Sequence, residues 1–107
     1  MVNKKYVGKG INDSRLAAFQ VLNSNMEPTI EKGRIVIIDL AQRSPSHGST
    51  YLIAGAKDKV TINKIHIKND DVYLINDNQT FGTELLKEPW EEVVVGKVIW
   101  TWLQHHN

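Results

Sequence analysis

Apolar and polar positions along the chain group into short runs that read as five or six strands with little helix. In "RLAAFQVL", Arg15 to Leu22, Phe19 and Val21 flank polar Gln20, which predicts a strand toward the Phe19 end, although propensity alone would allow a short helix. Next comes the polar turn "NSN", followed by "MEPTI". There Pro28 fixes its own φ and biases Glu27 away from the α region, so a single helical turn is expected to start at the proline. Gly33 closes the next turn. "RIVIID", Arg34 to Asp39, has four consecutive β-branched residues, the pattern of a strand buried on both faces.

"AQRSPSHGS", Ala41 to Ser49, is a loop by its proline, serine and glycine content, and "TYLIAGAKDKVTINKIHI" predicts two strands around Gly55 joined as a hairpin. In the second of these, Val60 and Ile62 share one parity while Ile65 and Ile67 share the other. That switch predicts a bulge, or a move between sheets, near Asn63. "KNDD" turns the chain back into "VYLIND", and the last strand, "VVVGKVIWTWL", runs from Val93 to Leu103 with Gly96 interrupting it. Between them "NQTFGTELLKEPWEE" is irregular, with room for one helical turn. The expected fold is mainly β, a twisted, partly closed assembly of hairpins.

Composition narrows the class. A chain of 107 residues fits one compact domain. The first fourteen residues, "MVNKKYVGKGINDS", carry two glycines and several charges, so 1–14 is expected to be an arm or linker and 15–107 the domain. An apolar fraction of 41%, a charged fraction of 23% and three tryptophans are those of an ordered globular protein. Zero cysteines exclude disulfides, thiolate zinc sites and cysteine nucleophiles. No apolar run approaches the ~20 residues of a membrane span, and the basic start lacks the apolar core of a signal peptide, so a cytoplasmic protein with no membrane partner is expected. A net charge of +1 gives no broad pull toward nucleic acid, which puts any DNA contact outside these residues.

Isolated polar residues carry little chemistry. His47, His66, His105 and His106 lack zinc-ligand spacing, so no metal is expected. The lysines around Gly8 and Gly10 do not make a phosphate loop, and Glu84, Lys87, Glu88, Glu91 and Glu92 read as solvated surface, so no cofactor is expected either. The sharper pattern is a Met-x-Pro-Thr turn at Met26, Pro28 and Thr29, a glycine turn and a buried strand, followed later by "KVTINKI" and "GKVIW".

Taken in order, "MEPTIEKGRIVIID", "VTINKIHI", "DVYLINDN" and "VVVGKVIW" resemble the C-terminal domain of the LexA, UmuD and lambda-type phage repressor family, from about Val21 to Trp100. The resemblance implies the fold of the S24-type self-cleaving serine peptidases, related to signal peptidase. It also implies a serine nucleophile just before the Met-x-Pro and a lysine base in a later strand. Carried over residue by residue, the nucleophile position falls on Asn25 and the base position on Asn63, and Asn23 and Ser24 replace the usual glycine and aspartate.

Serine attack requires a removable hydroxyl proton, and lysine accepts that proton only if burial lowers its pKa from ~10.4 toward neutrality. Two amides supply neither function, so a pseudo-peptidase is expected; what two amides are able to do is exchange a hydrogen bond, and the sequence does not decide whether Asn25 and Asn63 touch. A shifted pair, Ser24 with Lys64, would require Lys64 to leave the strand face opposite Asn63. Nothing in "SNMEP" provides for backbone cleavage by asparagine cyclisation.

The resemblance therefore implies a non-cleaving repressor domain that acts by forming homodimers, possibly higher oligomers. Operator DNA would be bound through a separate N-terminal helix-turn-helix not in this chain, and the repressor would be insensitive to RecA-stimulated self-cleavage in the SOS response. Linking two DNA-binding heads raises effective concentration at the operator. Interface candidates are Val98, Trp100 and Trp102 in the C-terminal strand, which pairs subunits in this family. The alternatives are a UmuD-like accessory subunit of a translesion polymerase and an active peptidase using Ser24 and Lys64. The one Ala-Gly dipeptide, Ala54-Gly55, falls inside the expected sheet.

Overall fold

A computed structural model of the chain describes residues 15–55 and 59–102, with the side chain of Trp102 outside the description; the expected arm, 1–14, also lies outside the described residues. Seven strands form among them: β1 (Leu16–Gln20), β2 (Ile35–Asp39), β3 (Thr50–Ala54), β4 (Val60–Lys68), β5 (Asp71–Ile75), β6 (Thr83–Leu85) and β7 (Val94–Trp102). A 3-10 turn at Gln79–Phe81 and the one-turn helix α1 (Trp90–Val93) complete the set. The strands make a single sheet in the order β1-β2-β7-β3-β4-β5-β6, antiparallel at every pairing. The fold is mainly β, as expected, and the sheet stays open, with β1 and β6 as its outer strands.

The sheet is covered on both faces, which explains the β-branched runs. One cluster gathers Ala17, Phe19, Val36, Ile38, Leu52, Val60 and Ile62 under Val21, Met26 and Ile30 from the first turn. The other gathers Tyr51, Ile53, Ile65, Leu74, Val93 and Val94. β4 contributes Ile62 to the first cluster and Ile65 to the second, while its pairing with β3 and β5 runs without a register shift. Neither the bulge nor the move between sheets expected near Asn63 therefore occurs. The parity switch arises because the two halves of one regular strand bury opposite faces.

The register irregularities lie in β7 instead. Ile37 and Ile38 pair with Trp100 and Val98, skipping Ile99, and Leu52 and Ile53 pair with Gly96 and Val94, skipping Val95. Gly96 sits where β7 crosses closest to β2: a Cβ there would lie 2.5 Å from Asp39 O and 2.7 Å from Ile38 Cγ2. The strand count is also higher than the five or six expected, in part because β6 was hidden within "NQTFGTELLKEPWEE". All three of its residues are exposed, so it carries no alternating pattern to read.

The first turn is fastened at both ends. Val21 N–H donates to Arg34 O and Gly33 N–H to Val21 O, with Gly33 at φ 94 where a side chain would be strained. Inside it Ile30 N–H donates to Met26 O, closing one turn around a cis Glu27–Pro28 bond. Met26 and Ile30 both drop into the first core cluster, so the turn begins at Met26 rather than at the proline. The β4–β5 hairpin turns at Asn69 and Asp70, both with positive φ (52° and 68°), the geometry for which Asn and Asp are suited.

Candidate functional site

β5 pairs with β4 over Lys64–Lys68 only, so the first residues of β4 have a bare edge on that side. The first turn supplies what is missing. Asn23 Nδ2 donates to Val60 O at 3.2 Å and Asn25 Nδ2 to Ile62 O at 2.7 Å, taking alternate carbonyls of one strand edge as a neighbouring strand would. From the other side, Asn78 N–H donates to Asn25 O at 2.9 Å and Asn78 Nδ2 to Ser24 O at 3.0 Å. The turn is thus clamped between β4 and the segment that leaves β5.

Asn25 and Asn63 are brought together by a third amide. Asn25 is 4% exposed and Asn63 3%. They do not exchange a direct hydrogen bond. Both donate to Asn76 Oδ1, from Asn25 Nδ2 at 2.9 Å and from Asn63 Nδ2 at 2.8 Å. Asn63 Nδ2 also reaches Ile75 O at 3.1 Å, and Asn63 Oδ1 accepts from Thr61 Oγ1 at 2.8 Å. Asn76 in turn donates from Nδ2 to Gly82 O at 2.8 Å. Asn25 Oδ1 is buried and accepts no hydrogen bond from the described residues. Sequence reasoning missed Asn76 and Asn78, and met Asn23 only as a replacement for the glycine of the resembling motif, because an asparagine next to a strand reads as turn chemistry and nothing in its spacing indicates an inward side chain.

Of the shifted pair, Ser24 accepts from Asn78 Nδ2 at its backbone oxygen, and Lys64 is engaged by a carboxylate. Lys64 has the parity of Ile62 and so points away from the face of Asn63, and its Nζ lies 3.4 Å from Asp77 Oδ1. Of the motif turn, Met26 is fully buried, whereas Pro28 and Thr29 are exposed. Ala54, of the Ala-Gly dipeptide, is the last residue of β3 and pairs with Val60.

The amides form part of the floor of a cleft of about 600 Å³ whose lining includes Ile53, Leu74, Phe81 and Val93. Its charged lining residues are Lys59, Glu84 and Glu88. The amides offer donors and acceptors to a polar ligand group or a water and do not themselves titrate. Among the described residues no group of three or more His, Cys, Asp or Glu side chains could hold a metal ion, and no helix is long and apolar enough to cross a membrane.

The interface candidates separate. Val98 is half-buried against the first core cluster, and Trp100 is 52% exposed. The Trp102 side chain lies outside the described residues, although its backbone pairs with Ile35. Ile99, which sequence parity passed over, is 43% exposed because the bulge inserts it beside Trp100. Thr29, Ile30, Ser49 and Thr50 complete a shallow groove around these residues.

Comparison with known proteins bears on the whole arrangement. No curated protein matches the chain. A match to the family described as Peptidase S24-like extends over residues 1–99, which include β1 to β6, the asparagine cluster and most of β7. On that match the chain belongs to the Peptidase S24-like family.

Proposed function

We propose that this chain is a non-cleaving Peptidase S24-like domain that serves as the self-association module of a phage- or prophage-type transcriptional repressor. The observation that carries the reading is the amide network. The positions that the resemblance gives to nucleophile and base are held by Asn25 and Asn63, both buried and both donating to one oxygen of Asn76. An amide has no readily removable proton for attack and no basic nitrogen to receive one, so what remains at these positions is structural.

Self-association is supported by the surface formed by Ile99 and Trp100, two exposed apolar side chains on the strand that pairs subunits in the resembling family. Aromatic anchors of this kind commonly dominate interfaces. Operator binding is assigned to a separate DNA-binding head, because a net charge of +1 leaves little electrostatic attraction in this chain.

Sedimentation across a concentration series, paired with mass spectrometry after incubation at alkaline pH, tests both halves. The expected result is a concentration-dependent dimer with intact mass. A strictly monomeric species removes the association role. Fragments that disappear in Ser24→Ala would establish a shifted nucleophile and overturn the pseudo-peptidase reading.

A further inference from the structure

Before β3 begins at Thr50, the preceding loop already pairs with β4. Ile65 N–H donates to Ser49 O at 2.8 Å, and Gly48 N–H donates to Ile65 O at 2.7 Å. At the next rung the acceptor is a side chain: Ile67 N–H donates to His47 Nδ1 at 2.8 Å. The same imidazole stacks on His66, with ring centroids 4.5 Å apart and planes inclined by 22°. Nδ1 accepts only while it carries no proton, so this contact selects the tautomer protonated at Nε2. Proton uptake at Nδ1 turns the acceptor into a donor facing a donor. A second proton, on His66, would stack two cations.

We propose that His47 and His66 form an acid-opened latch, which fastens residues 47–49 along β4 while both imidazoles are neutral and releases them when His47 is protonated. The latch goes beyond the association reading and does not depend on it. The strand face of His66 also carries Lys64 and Lys68, and the register places Tyr73 and Asp71 of β5 opposite His66 and Lys68. Leu85 of β6 lies beyond Tyr73, and Ser46 and Gly48 flank His47 in the loop. The charged groups around the pair are therefore the two ammonium groups, Asp71 and the Asp77 carboxylate that engages Lys64. The other end of the loop is anchored separately. Ser46 N–H donates to Tyr51 Oη, Tyr51 Oη to Ser44 O, and the Arg43 guanidinium to Val94 O and Glu91 O. Opening is thus confined to the histidine end.

Amide hydrogen exchange of the full chain, followed by NMR between about pH 8 and about pH 5 where imidazoles titrate, tests the latch. The protection factor of the Ile67 amide should fall roughly three- to tenfold on acidification, the range that one hydrogen bond spans. The Gly33 amide, bound to Val21 O, should keep its protection throughout. His47→Asn retains an acceptor oxygen that does not titrate, so in this variant Ile67 should stay protected across the range. Constant Ile67 protection in the unmodified chain overturns the proposal. So does a fall shared by Gly33, which marks general opening, or the same fall in His47→Asn.

Discussion

Asn76 holds two buried amides through one oxygen, so its removal has a larger effect than its half-buried position indicates. In Asn76→Ala, Asn25 keeps Ile62 O and Asn63 keeps Ile75 O, but each loses its second acceptor and Gly82 O loses its donor. Groups left unsatisfied in a low-dielectric site cost about 1–3 kcal/mol. Urea denaturation of the variant should therefore show a lower midpoint with an unchanged slope.

Asp39 is a second residue whose surroundings set a measurable property. It is buried at the end of β2, where the Gln42 side chain and the Ala41 N–H donate to its carboxylate. Those hydrogen bonds, in that order, lower its pKa, helped by the charges of Arg15 and Lys97 and opposed by burial. Because the folded value lies below the unfolded ~3.9, the contribution is present above that pH and is lost as pH falls through the folded value. Acid titration of stability should show a shallower decline in Asp39→Asn than in the unmodified chain, measured by denaturation midpoints at a series of acidic pH values.

At the scale of elements, β7 governs how the sheet is put together. It lies between β2 and β3 and carries two register shifts around Gly96. A methyl group there meets the backbone oxygen of Asp39 and the Ile38 side chain, and strand backbone in a packed sheet cannot withdraw freely. Gly96→Ala should destabilise by about 1–3 kcal/mol, the usual range for overpacking, readable as a drop in thermal midpoint. The central strands were legible because four β-branched residues at Ile35–Ile38 and the runs in β3, β4 and β7 declare burial directly. β4 is a strand, as its sequence indicates, but it neither bulges nor moves between sheets near Asn63; a parity switch cannot distinguish either event from a straight strand with a core on each side. Asn25 and Asn63 were found through their place in a resembling motif. Asn76, which joins them, was not, because its role depends on β5 ending beside the turn, a fact of topology rather than of local sequence.

For the whole molecule, the bulged part of β7 presents an apolar surface beside the first turn, with Ile99 and Trp100 exposed. If two copies meet there, Trp100→Glu places a carboxylate in the contact. Association should weaken by roughly 30-fold or more, the effect of losing an aromatic anchor worth about 2 kcal/mol. Sedimentation should show the variant as monomer at concentrations where the unmodified chain is dimeric, with an unaltered far-ultraviolet spectrum.

The amides that cover the start of β4 bear on a hazard common to open sheets. A strand edge with unused carbonyls is a template on which a strand of another molecule can grow, and repeated addition leads to aggregates. Asn23 and Asn25 occupy the carbonyls of Val60 and Ile62, so an incoming strand would have to displace two side-chain donors before its first rung could form. A serine at position 25, with its shorter reach and single hydroxyl proton, would guard that edge less well. The asparagine at position 25 thus does for the start of β4 what a neighbouring strand would do, and leaves an incoming chain fewer unused carbonyls to pair with.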